Sequence, residues 1–222
     1  KKRKKLTPEL AKANRRKLMV KDSLIVTAVG AITPEELAPM LDAIAESLPE
    51  SNDLPETPEI TFTVDGAFEP VLIDLPQPQS LVRFLAPGLK REDPDFFTAY
   101  VVNYTYGGGG FGSRLMESLR VQKGLTYGVY TWLSFDDTYQ NWGGSGQTKN
   151  ESVGEFVEAL LAETALIAEE GITAEELADA KAYLTGSYPL AFDSNAKIAG
   201  QMMSVRQDEL GVDYFDRRNA LS

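Results

Sequence analysis

The order of apolar and polar positions divides the first fifty residues into helix, strand and helix. Thr7-Pro8-Glu9 opens the first helix, with a hydroxyl to cap it and a proline in its first turn. Leu24-Ile25-Val26-Thr27-Ala28-Val29 is an apolar run of strand length. Ile32-Thr33-Pro34-Glu35-Glu36-Leu37 then carries a full helix-start signature, in which Thr33 can cap the amide of Glu36 and Glu36 can reach back. The same device recurs at Ile172-Thr173-Ala174-Glu175-Glu176-Leu177, an echo that by itself is weak ground for an internal repeat.

Six of the twelve prolines fall between Pro49 and Pro78, a pattern that reads as a linker followed by edge-type strands. A boundary is expected within 51–58, separating a segment 1–52 from a domain 53–222. Beyond it, Val71–Leu75 and Gln79–Ala86 read as strands. Phe96–Tyr106 fits a strand by residue type and a buried helix by spacing; Gly107–Gly110 ends it, and a helix resumes over Ser113–Arg120. Thr126–Phe135 alternates, with Tyr127, Val129, Leu133 and Phe135 on one face and Tyr130 and Trp132 on the other. Asp136-Asp137 turns the chain into a returning strand, Tyr139–Thr148. Val153, Phe156, Val157, Leu160 and Leu161 then recur at helical spacing up to Gly171, a second helix runs from Thr173 toward Tyr188, and a last covers Ile198–Leu210. Strands, a hairpin and then paired helices make the fold class α+β.

Composition changes this picture mainly by exclusion. With no histidine and no cysteine among 222 residues, the chain cannot build a zinc site from imidazole or thiolate ligands, a Ser-His-Asp or Cys-His nucleophile, or a disulfide. The net charge of −11 is uneven, at +9 over residues 1–21 and −20 over the rest. An acidic body argues against nucleic acid as a partner, because phosphate binding needs a basic face. The run Lys1-Lys2-Arg3-Lys4-Lys5 is expected to be a solvated chain end rather than a patch for nucleic acid or anionic lipid. The best apolar stretch, Leu24–Ile32, falls short of the ~20 residues that cross a bilayer. Leu6-Thr7-Pro8-Glu9 is polar where a signal peptide would be apolar, so a soluble protein of bacterial-type cytoplasm or periplasm is expected.

Gly107-Gly108-Gly109-Gly110-Phe111-Gly112 satisfies G-x-G-x-x-G, the pattern whose amides cradle a pyrophosphate at a helix N-terminus. A nucleotide-binding module is therefore one reading. Against it, the following helix leads into an antiparallel hairpin instead of a parallel β-α-β unit. The plainer reading is a flexible connection between helices, with Ser113 capping the second.

The neighbours of the glycines carry more. Gly88-Leu89-Lys90-Arg91-Glu92-Asp93-Pro94-Asp95 precedes them, and Ser113-Arg114-Leu115-Met116-Glu117-Ser118-Leu119-Arg120-Val121-Gln122-Lys123-Gly124-Leu125-Thr126-Tyr127-Gly128-Val129 follows. This resembles the C-terminal domain of the pitrilysin/insulinase family of zinc peptidases, which includes the mitochondrial processing peptidases and the core proteins of the respiratory bc1 complex. The family pattern there is a Gly-rich turn, Ser-Arg-Leu, then Leu-Arg-x-x-x-Gly-Leu-x-Tyr-x-Val, and the match runs from about residue 79 to 190. The resemblance implies an antiparallel-rich sheet with helices on one face. It also implies that residues 1–52 are the end of a preceding homologous domain, and that the second half stops before its last strand. The edge so left could be filled by residues 24–29 or by a second copy of the chain, as a homodimer.

In that family zinc is held by His-x-x-Glu-His plus a distal Glu in the N-terminal domain. This chain has none of that motif, so the resemblance implies no cofactor here, zinc in a partner domain or subunit, and no cleavage by this chain alone. What the C-terminal domain contributes in active members is an Arg and a Tyr seven residues apart, and Arg120 and Tyr127 stand at that spacing. Tyr127 would donate its hydroxyl to the scissile carbonyl of a peptide substrate, and Arg120 would orient the peptide backbone or Tyr127 itself. Val121 stands where many members carry an acid, and Arg114 reads as a structural ion-pair residue. Tyr130, Trp132 and Trp142 belong either to a peptide-binding surface or to sheet packing. The alternative within the family is a purely structural or assembly domain, like the bc1 core proteins.

Overall fold

The computed structural model describes residues 7–55, 57–60, 70–136 and 138–221; the basic run Lys1–Lys5 and the turn residue Asp137 lie outside them. In chain order the main elements are α1 (Pro8–Leu18), α2 (Pro34–Glu46), β1 (Gln79–Pro87), α3 (Phe96–Asn103), β2 (Val129–Asp136), β3 (Tyr139–Lys149), α4 (Val153–Glu170), α5 (Ala174–Gly186), α6 (Asn195–Gln207) and α7 (Tyr214–Leu221). The chain divides into two compact units, one of Lys1–Thr57 with Tyr188–Phe215, the other of Pro58–Ser187 with Asp216–Ser222.

In the first unit the helix starts form as their sequences dictate. The Thr7 hydroxyl accepts from the amide of Leu10, and Thr33 and Glu36 close the reciprocal capping box on α2. Leu24–Val29, expected as a strand, pairs with no strand among the described residues. Leu24, Ile25 and Val26 remain 38–45% exposed, and the segment is tied by the Thr27 hydroxyl, which donates to the carbonyl of Ala199 at 3.1 Å. Apolar runs signal an extended backbone, but a strand exists only through ladder bonds, and nothing described here supplies the second rung. Only Val20 and Val205 are buried apolar residues of this unit among those described.

The second unit is built on a three-stranded antiparallel sheet in the order β1-β3-β2. In its register Gly144 lies between Phe84 and Thr131, and Gly146 between Val82 and Val129. These glycines make room for rings: a methyl on Gly144 would collide with Phe84, and one on Gly146 would fall 2.5 Å from the Phe156 ring of α4. That is how α4 sits close enough to share a core with Tyr106, Leu115, Leu119 and Val129. Trp142 belongs to this core face, with its indole N–H donating to the Asn103 side chain at 2.9 Å. Tyr130 and Trp132 stand on the opposite face, their rings 5.8 Å apart.

Phe96–Tyr106 resolves as helix, α3 followed by a wide π turn over Tyr104–Gly108. Phe96, Val101 and Tyr106 are buried, and Val101 packs with Ala180 and Leu184 of α5. Burial pushes the Tyr106 hydroxyl up to about 12, against a 2.6 Å hydrogen bond with Thr164. Gly171, at φ 72°, stops α4. Val71–Leu75 forms no ladder among the described residues, and Val71, Leu72, Ile73 and Leu75 are 63–92% exposed.

Candidate functional site

The segment carrying Arg120 and Tyr127 is anchored first at Arg114. Its guanidinium grips Glu176 through two parallel N–H donors and also donates to the carbonyl of Gly171 at 3.0 Å. Glu176 is at the same time the return arm of the α5 capping box, accepting from the amide of Thr173 at 2.7 Å. The Arg114 hydrogen bonds, opposed by partial burial, hold the Glu176 carboxyl far below its ordinary range, at about 2. One residue pair thus fastens the helix behind the glycine run to the junction of α4 and α5, the structural role expected of Arg114.

The first half of the glycine run is packed and bonded inward. Cβ atoms on Gly107, Gly108 and Gly109 would fall 2.6 Å from the Thr131 hydroxyl, 2.7 Å from the Asn103 side chain and 2.7 Å from the Tyr104 carbonyl. The Gly109 amide already donates to Tyr104 at 2.7 Å. Gly107–Gly109 close the C-terminal end of α3 and its π turn, and Gly110–Gly112 lead into the next helical segment. The run therefore joins two helices, and the sheet among the described residues is wholly antiparallel, so the strand-to-helix β-α-β setting that a G-x-G-x-x-G pyrophosphate site needs is absent there. Nor does the Ser113 side chain cap the next helix; it turns back and donates to the Gly110 carbonyl at 2.8 Å.

A second π turn, Met116–Gln122, carries Arg120. Gly124, at φ 63°, ends it in a left-handed cap, with its amide bonded to the carbonyl of Arg120 at 3.1 Å and the Leu125 amide to Leu119 at 2.9 Å. The chain is then stapled to the sheet. The Thr126 hydroxyl lies 2.6 Å from the Gln147 carbonyl and accepts from the Gly128 amide at 3.0 Å, while the Thr148 hydroxyl donates to the Leu125 carbonyl at 2.6 Å. Arg120 and Tyr127 are thereby fixed at their backbones on either side of one tight turn.

Their side chains are left unused by the fold. Arg120 is half-buried, its guanidinium carbon 4.5 Å from the centre of the Phe111 ring, with no hydrogen-bond or ion-pair partner among the described residues. Tyr127 is 87% exposed, and its hydroxyl likewise has no partner among the described residues. Phe111 was invisible to spacing arguments; the only signal was an aromatic residue inside a glycine run. Another arginine–aromatic cluster, Arg91 with Phe96, Phe97 and Phe135, borders a cleft of about 160 Å³ lined by charges of both signs. That cleft is smaller than the ~300–1,000 Å³ of ordinary ligand sites.

Zinc does not fit this chain's own residues. Histidine and cysteine are absent, and among the described residues no three acidic side chains gather where they could hold a metal. No helix among the described residues is long and apolar enough to cross a membrane.

Known proteins agree with this architecture. A crystal structure of a peptidase M16 inactive domain from Pseudomonas fluorescens superposes with a TM-score of 0.76 at 27% identity, covering 95% of this chain and 49% of that one. A chain of complex III from Candida albicans shares the fold at 16% identity and a TM-score of 0.61, over 86% of this chain and 46% of its own. In sequence, the chain is 40% identical over 113 residues to the "non-peptidase homolog YmxG" of Helicobacter pylori, covering 50% of this chain and 26% of that protein. It is 33% identical over 96 residues to the "uncharacterized zinc protease YmxG" of Bacillus subtilis, covering 41% of this chain and 23% of that protein. The matched stretches thus span about a quarter of the length of each of these two relatives. Residues 5–184 match the family model described as the peptidase M16 inactive domain, and the chain belongs to that pitrilysin-like family.

Proposed function

We propose that this chain helps bind and position a peptide opposite a zinc-bearing domain of the same family, on the same polypeptide or on a partner subunit. The observation that carries the reading is Arg120: a half-buried cation on a backbone fixed by a left-handed glycine cap, with its donors unpaired among the described residues. Guanidinium N–H groups in that state suit the carbonyls of an extended peptide. Tyr127 presents its hydroxyl from the far side of the same turn, suited to receive negative charge developing on a scissile carbonyl. Zinc would belong to the other half, consistent with the inactive-domain family.

The chain alone is then expected to bind peptide weakly and cleave nothing. Mixed with the zinc-bearing half from the same source it should support cleavage, and Tyr127→Phe should slow that cleavage by roughly ten-fold or more. Unchanged turnover in Tyr127→Phe would remove the role assigned to it. A structural or assembly role is the second reading, favoured by the name of the Helicobacter pylori relative, a non-peptidase homolog. Absence of any cleavage with every zinc-bearing half from the same source would favour that reading.

A further inference from the structure

Phe111 is 75% exposed, yet it does not sit on a loose tip. Gly110 before it adopts φ 64°, and the amide and hydroxyl of Ser113, itself 1% exposed, both bond to the Gly110 carbonyl. The backbone that carries the ring is therefore held at a set place, and the ring lies against the Arg120 guanidinium, whose carbon is 4.5 Å from the ring centre. We propose that Phe111 is a positioning residue: it pre-orients the Arg120 guanidinium for the peptide, a role that rests on the reading given under Proposed function.

The geometry explains why a ring is suited to this task. A carboxylate would restrain the arginine just as well, but it would occupy the N–H donors needed for the peptide. Cation–π contact uses the flat face of the guanidinium, whereas the donors radiate in its plane. Contact with Phe111 thus restrains a long side chain without tying its donors to an acceptor. The glycines on either side, Gly110 and Gly112, have open space where a Cβ would stand, so nothing crowds the ring from its neighbours.

The test uses the 222-residue chain with Phe111→Ala, Phe111→Leu and Phe111→Trp. Two quantities are read: the side-chain Nε–H NMR signal of Arg120, and affinity for a fluorescein-labelled (Ala-Ser-Val)4 peptide. In Phe111→Ala the Arg120 signal should lose its ring-current shift and gain mobility. Peptide affinity should fall about two- to five-fold, which is about 0.5–1 kcal/mol at 1.4 kcal/mol per factor of ten. Phe111→Leu, apolar but without a π face, should fall similarly, and Phe111→Trp should restore both readouts. The urea midpoint should not move in any of the three. If the unsubstituted chain binds and Phe111→Ala binds equally well, or if the Arg120 signal is unchanged, the role of Phe111 is overturned. It is overturned equally if Phe111→Ala lowers the urea midpoint as much as the affinity, because the ring would then be structural. Failure of the unsubstituted chain to bind the peptide at all would instead overturn the reading under Proposed function, and this one with it.

Discussion

Replacing Glu176 with glutamine should destabilise the second unit at neutral pH and hardly at all in acid. Glu176 accepts both N–H donors of Arg114 and the amide of Thr173, and its carboxyl is held at about 2 instead of its ordinary 4.5. That gap corresponds to at most about 3.4 kcal/mol at 1.36 kcal/mol per pH unit. The Arg114 and Glu176 side chains are 17% and 27% exposed, so solvent screening reduces the expected contribution to about 1–2 kcal/mol. Because the folded value is depressed, the contribution is complete above pH 4.5 and drains away as pH falls toward 2. With those two values, about two-fifths of it remains at pH 3 and little more than a tenth at pH 2.

Glutamine keeps the length of the side chain and an oxygen for the Thr173 amide, so the substitution isolates the charge from the helix cap. Trp132 and Trp142, the two tryptophans of the chain, both lie in the sheet of this unit, so tryptophan fluorescence during urea denaturation reports on it directly. At pH 7 the variant should lose about 1–2 kcal/mol, or roughly 3–8 °C in Tm for a domain of this size. At pH 3, safely below the pI of 4.6, the difference should shrink to less than half. A loss that is equally large at both pH values, or one below about 0.3 kcal/mol at pH 7, would refute the assignment of the low carboxyl value to the Arg114 pairing.

Gly144→Ala should cost about 2 kcal/mol or more, because the new methyl would overlap the Phe84 ring. Adding Phe84→Leu should recover at least about 1 kcal/mol of that in a double-mutant cycle, and strict additivity would show that the two positions do not share the space. Thr126→Val removes the hydroxyl that lies between the Gln147 carbonyl and the Gly128 amide, at a cost of about 1–3 kcal/mol. Hydrogen exchange at the Gly128 amide should quicken at least ten-fold, and unchanged exchange would show that the Tyr127 loop is held by something else.

Legibility of the fold from sequence followed the range of the interaction that makes each element. Both capping boxes, at Thr33/Glu36 and Thr173/Glu176, formed as written, because every partner lies within three residues. The hairpin of β2 and β3 and the stop at Gly171 are likewise local. Leu24–Val29 and Val71–Leu75 look as strand-like as Gln79–Ala86, yet of the three only the last is in a ladder among the described residues, since a partner strand is a distant fact that no local pattern contains. Phe96–Tyr106 could be decided only by what covers it: Val101 needs Ala180 and Leu184, some eighty residues away, to be worth burying.

The site divides in the same way, and the division bears on what Arg120 is for. Family spacing singled out Arg120 and Tyr127, but spacing cannot say whether an arginine is engaged. Arg114 and Arg120 lie six residues apart in one short segment and look alike in sequence. Arg114 is doubly bonded to a carboxylate and a carbonyl, whereas Arg120 touches only a ring and has no polar partner among the described residues. Arg120 is open enough for water to satisfy its donors, so the fold does not require an acid beside it, and an exposed ion pair there would add little stability. Held beside a ring on a backbone pinned by Gly124 and Thr126, it keeps those donors available, and under the function proposed above a peptide carbonyl would have only water to displace from them.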